Sequence, residues 1–318
     1  KRTYNVIDDI PLFQNVSSEA ALKQHAVYSH YHSLHTKEQT FRTESYSKIV
    51  LATVGCNKSE MENSVVLDAG CGIGRYSAVL ASLASNGVVV AMDLSDGVDS
   101  AKKNLVEFDN CYVIQGDVTN PPLRDAVFDI VFSWGVLHHT PNVRSAFASV
   151  SRKTKIGGRL GVFLYEFHPV YAHKSWALTC VALFRQFALI LPLRALCTRL
   201  PIPAVRAISR LCWLAAATTR FDPFGVASGP PGQKFLYRDW YRVFIDRFRT
   251  RYASEHSYQD IIDWFNEENY DDVIVPHGCS DITISGRKGR CPSKPMHCRF
   301  EKPLNNYVKY KKLTKFDA

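Results

Sequence analysis

Between Val65 and Tyr76 the chain reads Val-Val-Leu-Asp-Ala-Gly-Cys-Gly-Ile-Gly-Arg-Tyr. An apolar run ends in an acid, glycine then takes every second position, and a helical pattern runs on to about Gly87. Glycines at this spacing let a strand turn sharply into a helix and let a ligand lie against bare backbone. The spacing also excludes a nicotinamide-dinucleotide loop, because G-x-G-x-x-G would put its third glycine where Arg75 stands. A turn used only for tight packing looks similar in sequence, and the next ninety or so residues, to Glu166, decide between the two.

Tyr76 to Ser85 carries apolar and small residues at helical spacing, and Asn86-Gly87 stops it. Val88 to Met92 reads as a buried strand ending at Asp93, where a carboxylate can accept from ribose hydroxyls. A helix over Asp96 to Phe108 leads to a third strand, Cys111 to Gln115, which closes on Gly116-Asp117-Val118. There an acid can accept from the exocyclic amine of adenine while the valine packs on its ring. Val127 to Ser133 is the fourth strand, and Trp134-Gly135-Val136-Leu137-His138-His139-Thr140 comes after it. Asn142 to Lys153 reads as a helix, Gly157-Gly158 as a turn and Arg159 to Glu166 as the fifth strand. Such alternation predicts right-handed β-α-β units and a parallel sheet, with ligands outside the carboxyl ends of the strands. Asp68, Asp93, Asp117, Ser133 and Glu166 all fall at those ends.

From about Ser64 to Glu166 the chain resembles the class I S-adenosylmethionine-dependent methyltransferases, in their ubiquinone/menaquinone-biosynthesis-like, small-molecule branch. The matching pieces are Leu67 to Gly74, Ala91-Met92-Asp93-Leu94-Ser95, Gly116-Asp117-Val118, Phe128 to Val131, Gly135 to His139 and Gly157 to Leu160. The resemblance implies an α/β fold, a doubly wound, mostly parallel, seven-stranded Rossmann-like sheet, and the chain's own extra residues read as a helical cap inserted after the fifth strand. It implies S-adenosylmethionine as cofactor, with Gly70, Gly72 and Gly74 bordering the methionine portion and Asp68 ordering the loop near the ammonium group. Asp93 would hold the ribose, Leu94 would lie on the adenine, and Asp117 with Val118 would read its edge. Ser133 and Trp134 would floor the site beside the sulfonium, and Arg42 and Arg75 are candidate partners for the cofactor carboxylate. Relatives that methylate amide or base amines carry Asn/Asp-Pro-Pro-Tyr/Phe after the fourth strand; this chain has Ser133-Trp134-Gly135-Val136 there, and its Asn120-Pro121-Pro122 comes too early to count.

Methyl transfer is an in-line displacement, and a base is required only when the acceptor starts as a neutral hydroxyl or an ammonium. His138 and His139 are the candidate catalytic bases; consecutive residues point different ways, so one of them should face the cavity. Tyr165, Glu166, His168 and His256 are candidate substrate contacts. The expected reaction is transfer to O or N of a small-molecule acceptor. Carbon methylation of a quinone-like or lipid acceptor, RNA methylation, and cofactor binding without catalysis are the alternatives.

At 318 residues the chain exceeds a single-sheet core. The organisation expected is an N-terminal helical segment over the cofactor (1–60, with a helix over Glu19 to Tyr46), the cofactor-binding core (61–166), an inserted helical cap (167–256), a closing helix and strands (257–290) and a basic tail (291–318). Ser257 is the expected N-cap of the closing helix, with strands over Tyr270 to Val275 and Asp281 to Ser285. In the cap, Trp176 to Leu200 and Ala204 to Ala217 are apolar at helical spacing, but Arg185 and Pro192 argue against a membrane span. The cap should cover the substrate; a peripheral membrane or oligomer contact is the other reading. The net charge of +9 is dispersed and no RNA-binding module is legible, so nucleic acid is disfavoured as a partner. No leader reads from Lys1-Arg2-Thr3-Tyr4, and nine scattered cysteines predict reduced thiols in a cytoplasmic setting. His277, Cys279, Cys291, His297 and Cys298 match no standard zinc spacing, so no metal is expected. His25, His30, His32 and His35 spread around a helix, which predicts solvated side chains.

Overall fold

Neighbouring residues of the central strands send their side chains to opposite faces, and each face has its own core. The computed structural model describes residues 5–13, 19–34, 43–166, 180, 184–219, 237–276, 282–289 and 298–300. Its strands are β1 (Asn5–Ile7), β2 (Ile10–Leu12), β3 (Val65–Ala69), β4 (Val88–Asp93), β5 (Cys111–Gln115), β6 (Phe128–Trp134), β7 (Thr154–Leu164), β8 (Tyr270–Val275), β9 (Ile282–Lys288) and β10 (Cys298–Phe300). They form one sheet in the order β1-β2-β5-β4-β3-β6-β7-β9-β8-β10. Strands β5-β4-β3-β6-β7 pair in parallel, and β9 runs antiparallel to both β7 and β8.

The expectation of seven strands is therefore corrected to ten among the described residues. A β1–β2 hairpin joins β5 through Leu12 and Gln115, and β10 adds in parallel to β8. These additions are three residues each, too short to show alternation. Gly157-Gly158 is also corrected: the pair lies within β7, where Phe128 pairs with Thr154 and Ile130 with Arg159. The extra residues of β7 form a bulge, which a Gly-Gly pair imitates in sequence.

On one face Leu67, Met92, Val131 and Leu160 pack with Phe147 of α6 (Val143–Ser151) and Phe265 of α10 (Tyr258–Glu267). On the other, Val66, Val89, Ile130 and Phe132 pack with Val50 and Val54 of α2 (Thr43–Val54) and Leu80 of α4 (Arg75–Leu83). A short α3 (Lys58–Met61) precedes β3, and α5 (Gly97–Asn104) packs through Ala101 beside α4. Ser257 caps α10, its hydroxyl accepting from the Asp260 amide while Asp260 accepts from the Ser257 amide.

After β7 come a π turn (Arg185–Ile190), α7 (Leu191–Cys197), α8 (Ile202–Thr219) and α9 (Tyr237–Phe248). A third core joins Ile190, Cys197, Val205, Trp240, Phe244 and Phe248 to Val27 of α1 (Glu19–Ser33). The single helix expected over Glu19 to Tyr46 is thus two, α1 and α2, with residues 35–42 outside the described ones. Phe184, Phe187, Leu211 and Leu214 of the insertion are exposed. No described helix is long and apolar enough to cross a membrane. Residues 291–297 and 301–318 of the expected tail lie outside the described residues.

Candidate functional site

The turn after β3 is built against β4. The amides of Gly70 and Cys71 donate to the Met92 carbonyl at 2.7 and 2.9 Å, and the Gly72 amide donates to Asp93 Oδ2 at 2.8 Å. Gly70 (φ +98) and Gly72 (φ +55) hold left-handed backbone that favours glycine. A Cβ on Gly70 would collide with the Val136 side chain, and one on Gly72 would meet His32 Cε1 at 2.6 Å. The loop is bare backbone gripped from above by a helix and a strand-end loop.

Beside it lies a cavity of about 410 Å³, walled by strand ends below and by α1, α9 and Tyr252 above. Gly70, Gly72, Asp93 and Leu94 line it at one end, with Asp117 and Val118 nearby. Trp134, His139 and Tyr165 line it further along. Trp134 is fixed by stacking on Phe163, ring centroids 4.2 Å apart.

Several candidates fall elsewhere. Asp68 is buried behind the loop, accepting from the Ser77 hydroxyl of α4 at 2.6 Å, and is absent from the cavity wall. Burial raises its carboxyl to about 7, against the opposing Ser77 bond. Gly74 packs on Leu105 of the α5 end rather than lining the cavity. Ser133 lies one layer below, its hydroxyl donating to the Ala69 carbonyl at 2.9 Å. His138 is buried and stacks on Tyr165 at 3.8 Å, and neither ring nitrogen has a partner among the described residues. Burial first, then His139 and His256, push its pKa well down. Glu166 and His256 join in an isolated parallel bridge beyond β7, outside the cavity wall. His168 and Arg42 lie outside the described residues.

His139 does reach the cavity. Its Nδ1 donates to the Tyr252 carbonyl at 3.0 Å, and its Nε2 stands 3.7 Å from Asp246 Oδ1. Burial lowers its pKa below 6.5, against Asp246 and the Tyr252 bond. Asp246 also accepts from the Tyr165 hydroxyl at 2.8 Å.

Sequence reasoning missed the upper wall. The α1 histidines are not solvated: His32 covers Gly72, His25 pairs with Asp96 at 2.9 Å, and His30 pairs with the Tyr241 hydroxyl at 3.0 Å. His35 lies outside the described residues. Gln24, Tyr28, Asp246 and Tyr252 also line the cavity. A polar face on α1 was the only signal, and it is the same signal a solvated face gives.

The residues fit an adenosyl amino acid. Arg75 lines the cavity, its guanidinium over the Tyr46 ring at 5.6 Å to the centroid, and a cation there suits a carboxylate. Gly70 and Gly72 offer bare backbone. Asp93 already accepts from the Gly72 amide, the Ser95 amide and the Ser95 hydroxyl. Of about four acceptor sites on a carboxylate that leaves about one for a ribose hydroxyl. Asp117 spends Oδ1 on the Thr119 amide at 2.8 Å, and Val118 is buried beside it.

Residues 67–162 match the family model described as a methyltransferase domain. A malonyl-[acyl-carrier protein] O-methyltransferase of Buchnera aphidicola is 33% identical over 116 residues, covering 34% of this chain and 45% of that protein. A demethylmenaquinone methyltransferase of Staphylococcus epidermidis is 27% identical over 149 residues, covering 46% and 56%. The mouse protein named "Probable tRNA methyltransferase 9B" is 26% identical over 139 residues, covering 43% and 29%. The chain thus spans from 29% to 56% of the length of these relatives. Glycine loop, strand order and matched domain agree: residues 67–162 lie in a class I S-adenosylmethionine-dependent methyltransferase domain, whose cofactor is S-adenosylmethionine.

Proposed function

We propose that the protein transfers a methyl group from S-adenosylmethionine to an oxygen or nitrogen of a small-molecule acceptor. The observation that carries this reading is the continuous cavity joining the glycine loop to His139, Tyr165 and Asp246. Its volume, about 410 Å³, lies in the usual range for small-molecule sites.

When bound, the cofactor supplies a methyl group on a sulfonium, a leaving group that is already activated. The protein's work is then alignment and exclusion of water, effects worth roughly 7–11 kcal/mol. Gly70, Gly72 and Asp93 would hold the adenosyl end, Arg75 its carboxylate, and Trp134 the floor at the junction with the acceptor. Helix α1 and the inserted helices would roof the acceptor end. His139 is the base on this reading: Nδ1–H is committed to Tyr252, so the neutral ring keeps its lone pair on Nε2. His138, buried and facing away, is structural.

The test is methyl transfer from trideuteromethyl-labelled cofactor into a protein-free, low-molecular-weight extract, with detection by mass spectrometry. A labelled small molecule is expected. Cofactor binding by calorimetry without any such product, or label appearing only on RNA, overturns the reading.

A further inference from the structure

The geometry points to a nitrogen acceptor: a small primary or secondary amine held between Asp246 and His139. The inference rests on the methyl-transfer reading of the cavity and names its substrate class.

Two acceptor atoms from distant parts of the chain converge at the roofed end. Asp246 of α9 spends Oδ2 on the Tyr165 hydroxyl, leaving Oδ1 facing His139 Nε2 at 3.7 Å. A carbonyl can only accept, so His139 Nδ1 carries the proton shared with Tyr252, and Nε2 of the neutral ring is an acceptor too. Two acceptors at that separation make no hydrogen bond with each other. A donor with protons on two sides bridges them. Gln24 steadies the same wall, its Nε2 donating to the His139 carbonyl at 3.0 Å. A hydroxyl brings one proton to this wall, whereas an ammonium brings two or three.

Charge argues the same way. Among the lining residues Asp93, Asp117 and Arg75 belong to the cofactor end, which leaves Asp246 as the formal charge at the acceptor end. Arg194, whose charge acts on His139, turns its guanidinium to the carbonyls of Thr250 and Ala253 and is not in the cavity wall. A carboxylate facing a cavity with its opposing cation elsewhere suits a cationic ligand.

In the transfer itself the ammonium gives one proton to His139 Nε2, and the freed lone pair on nitrogen forms the N–C bond to the methyl carbon. The C–S bond breaks with its electron pair passing to sulfur, and the N-methylammonium formed remains paired with Asp246.

The experiment compares two portions of the same small-molecule extract, one pretreated with the N-hydroxysuccinimide ester of acetic acid, which acylates amines, and then quenched. Labelled product should form in the untreated portion and be lost from the acylated one. Product that persists after acylation overturns the amine assignment. No product in either portion, with cofactor binding intact, overturns the methyl-transfer reading itself. Asp246→Asn should lower labelled product about ten- to hundred-fold, as expected for one charge-assisted bond, with cofactor Kd by calorimetry unchanged. Tyr165→Phe, a gentler variant, should raise acceptor KM more than it lowers kcat. Undiminished product from an Asp246→Asn protein that binds cofactor normally also overturns the proposal.

Discussion

His32 closes on the glycine loop: a Cβ added at Gly72 would lie 2.6 Å from its Cε1. Gly72→Ala should therefore meet two penalties, the collision and a left-handed backbone that costs an L-residue roughly 1–2 kcal/mol. We expect S-adenosylmethionine affinity to fall by about ten-fold or more, at about 1.4 kcal/mol per decade. Adding His32→Ala removes the collision alone, so the double variant should recover part of the loss in calorimetry.

His139 should set the acid limb of turnover. Burial lowers its folded pKa below 6.5, so Nε2 stays deprotonated down to that value and activity is lost only as pH falls further. His139→Asn should abolish that limb and reduce kcat by about 10²- to 10⁴-fold with cofactor Kd unchanged. His138→Asn should lower the melting temperature and leave the limb in place.

Asp68 gives the opposite kind of signal, in stability. Its folded pKa is raised from 3.8 to about 7, so the folded state holds a proton that the unfolded chain releases earlier. Stability from this group is fully present below pH 3.8 and is lost as pH rises toward 7. Between pH 5 and 8 the loss is about 3 kcal/mol. Asp68→Asn, which keeps an acceptor for Ser77, should shrink the difference in unfolding free energy between those two pH values. An unchanged difference would show that Asp68 is ionised at no cost.

Phe244 is fully buried in the core shared by α1 and the insertion. Phe244→Ala should cost about 3–5 kcal/mol. Hydrogen exchange should then speed up in residues 24–34 together with 237–248, while β3 and β6 keep their protection. Faster exchange in 237–248 alone would separate the two.

The central sheet was legible because Val65 to Ala69, Val88 to Asp93 and Phe128 to Trp134 are buried strands with strong turn signals at their ends. The glycine-loop end of the cavity was legible for the same reason, since Gly70, Gly72, Asp93 and Asp117 sit on those ends and line it. The depth of Asp68, Gly74 and Ser133 was not, because strand-end position fixes neither which layer a side chain enters nor what already occupies it. The roof was least legible. His32 and Asp246 meet the cavity only through the third core, and 214 positions separate them in the chain. Periodicity within one helix carries no record of such a meeting.

That third core splices the roof from two stretches of chain, so neither can swing aside without tearing hydrophobic contacts from the other. Any opening of that roof would move one cooperative block with two tethers. A substitution deep in that block, far from any reacting atom, would alter how often the door opens and leave the chemistry behind it intact.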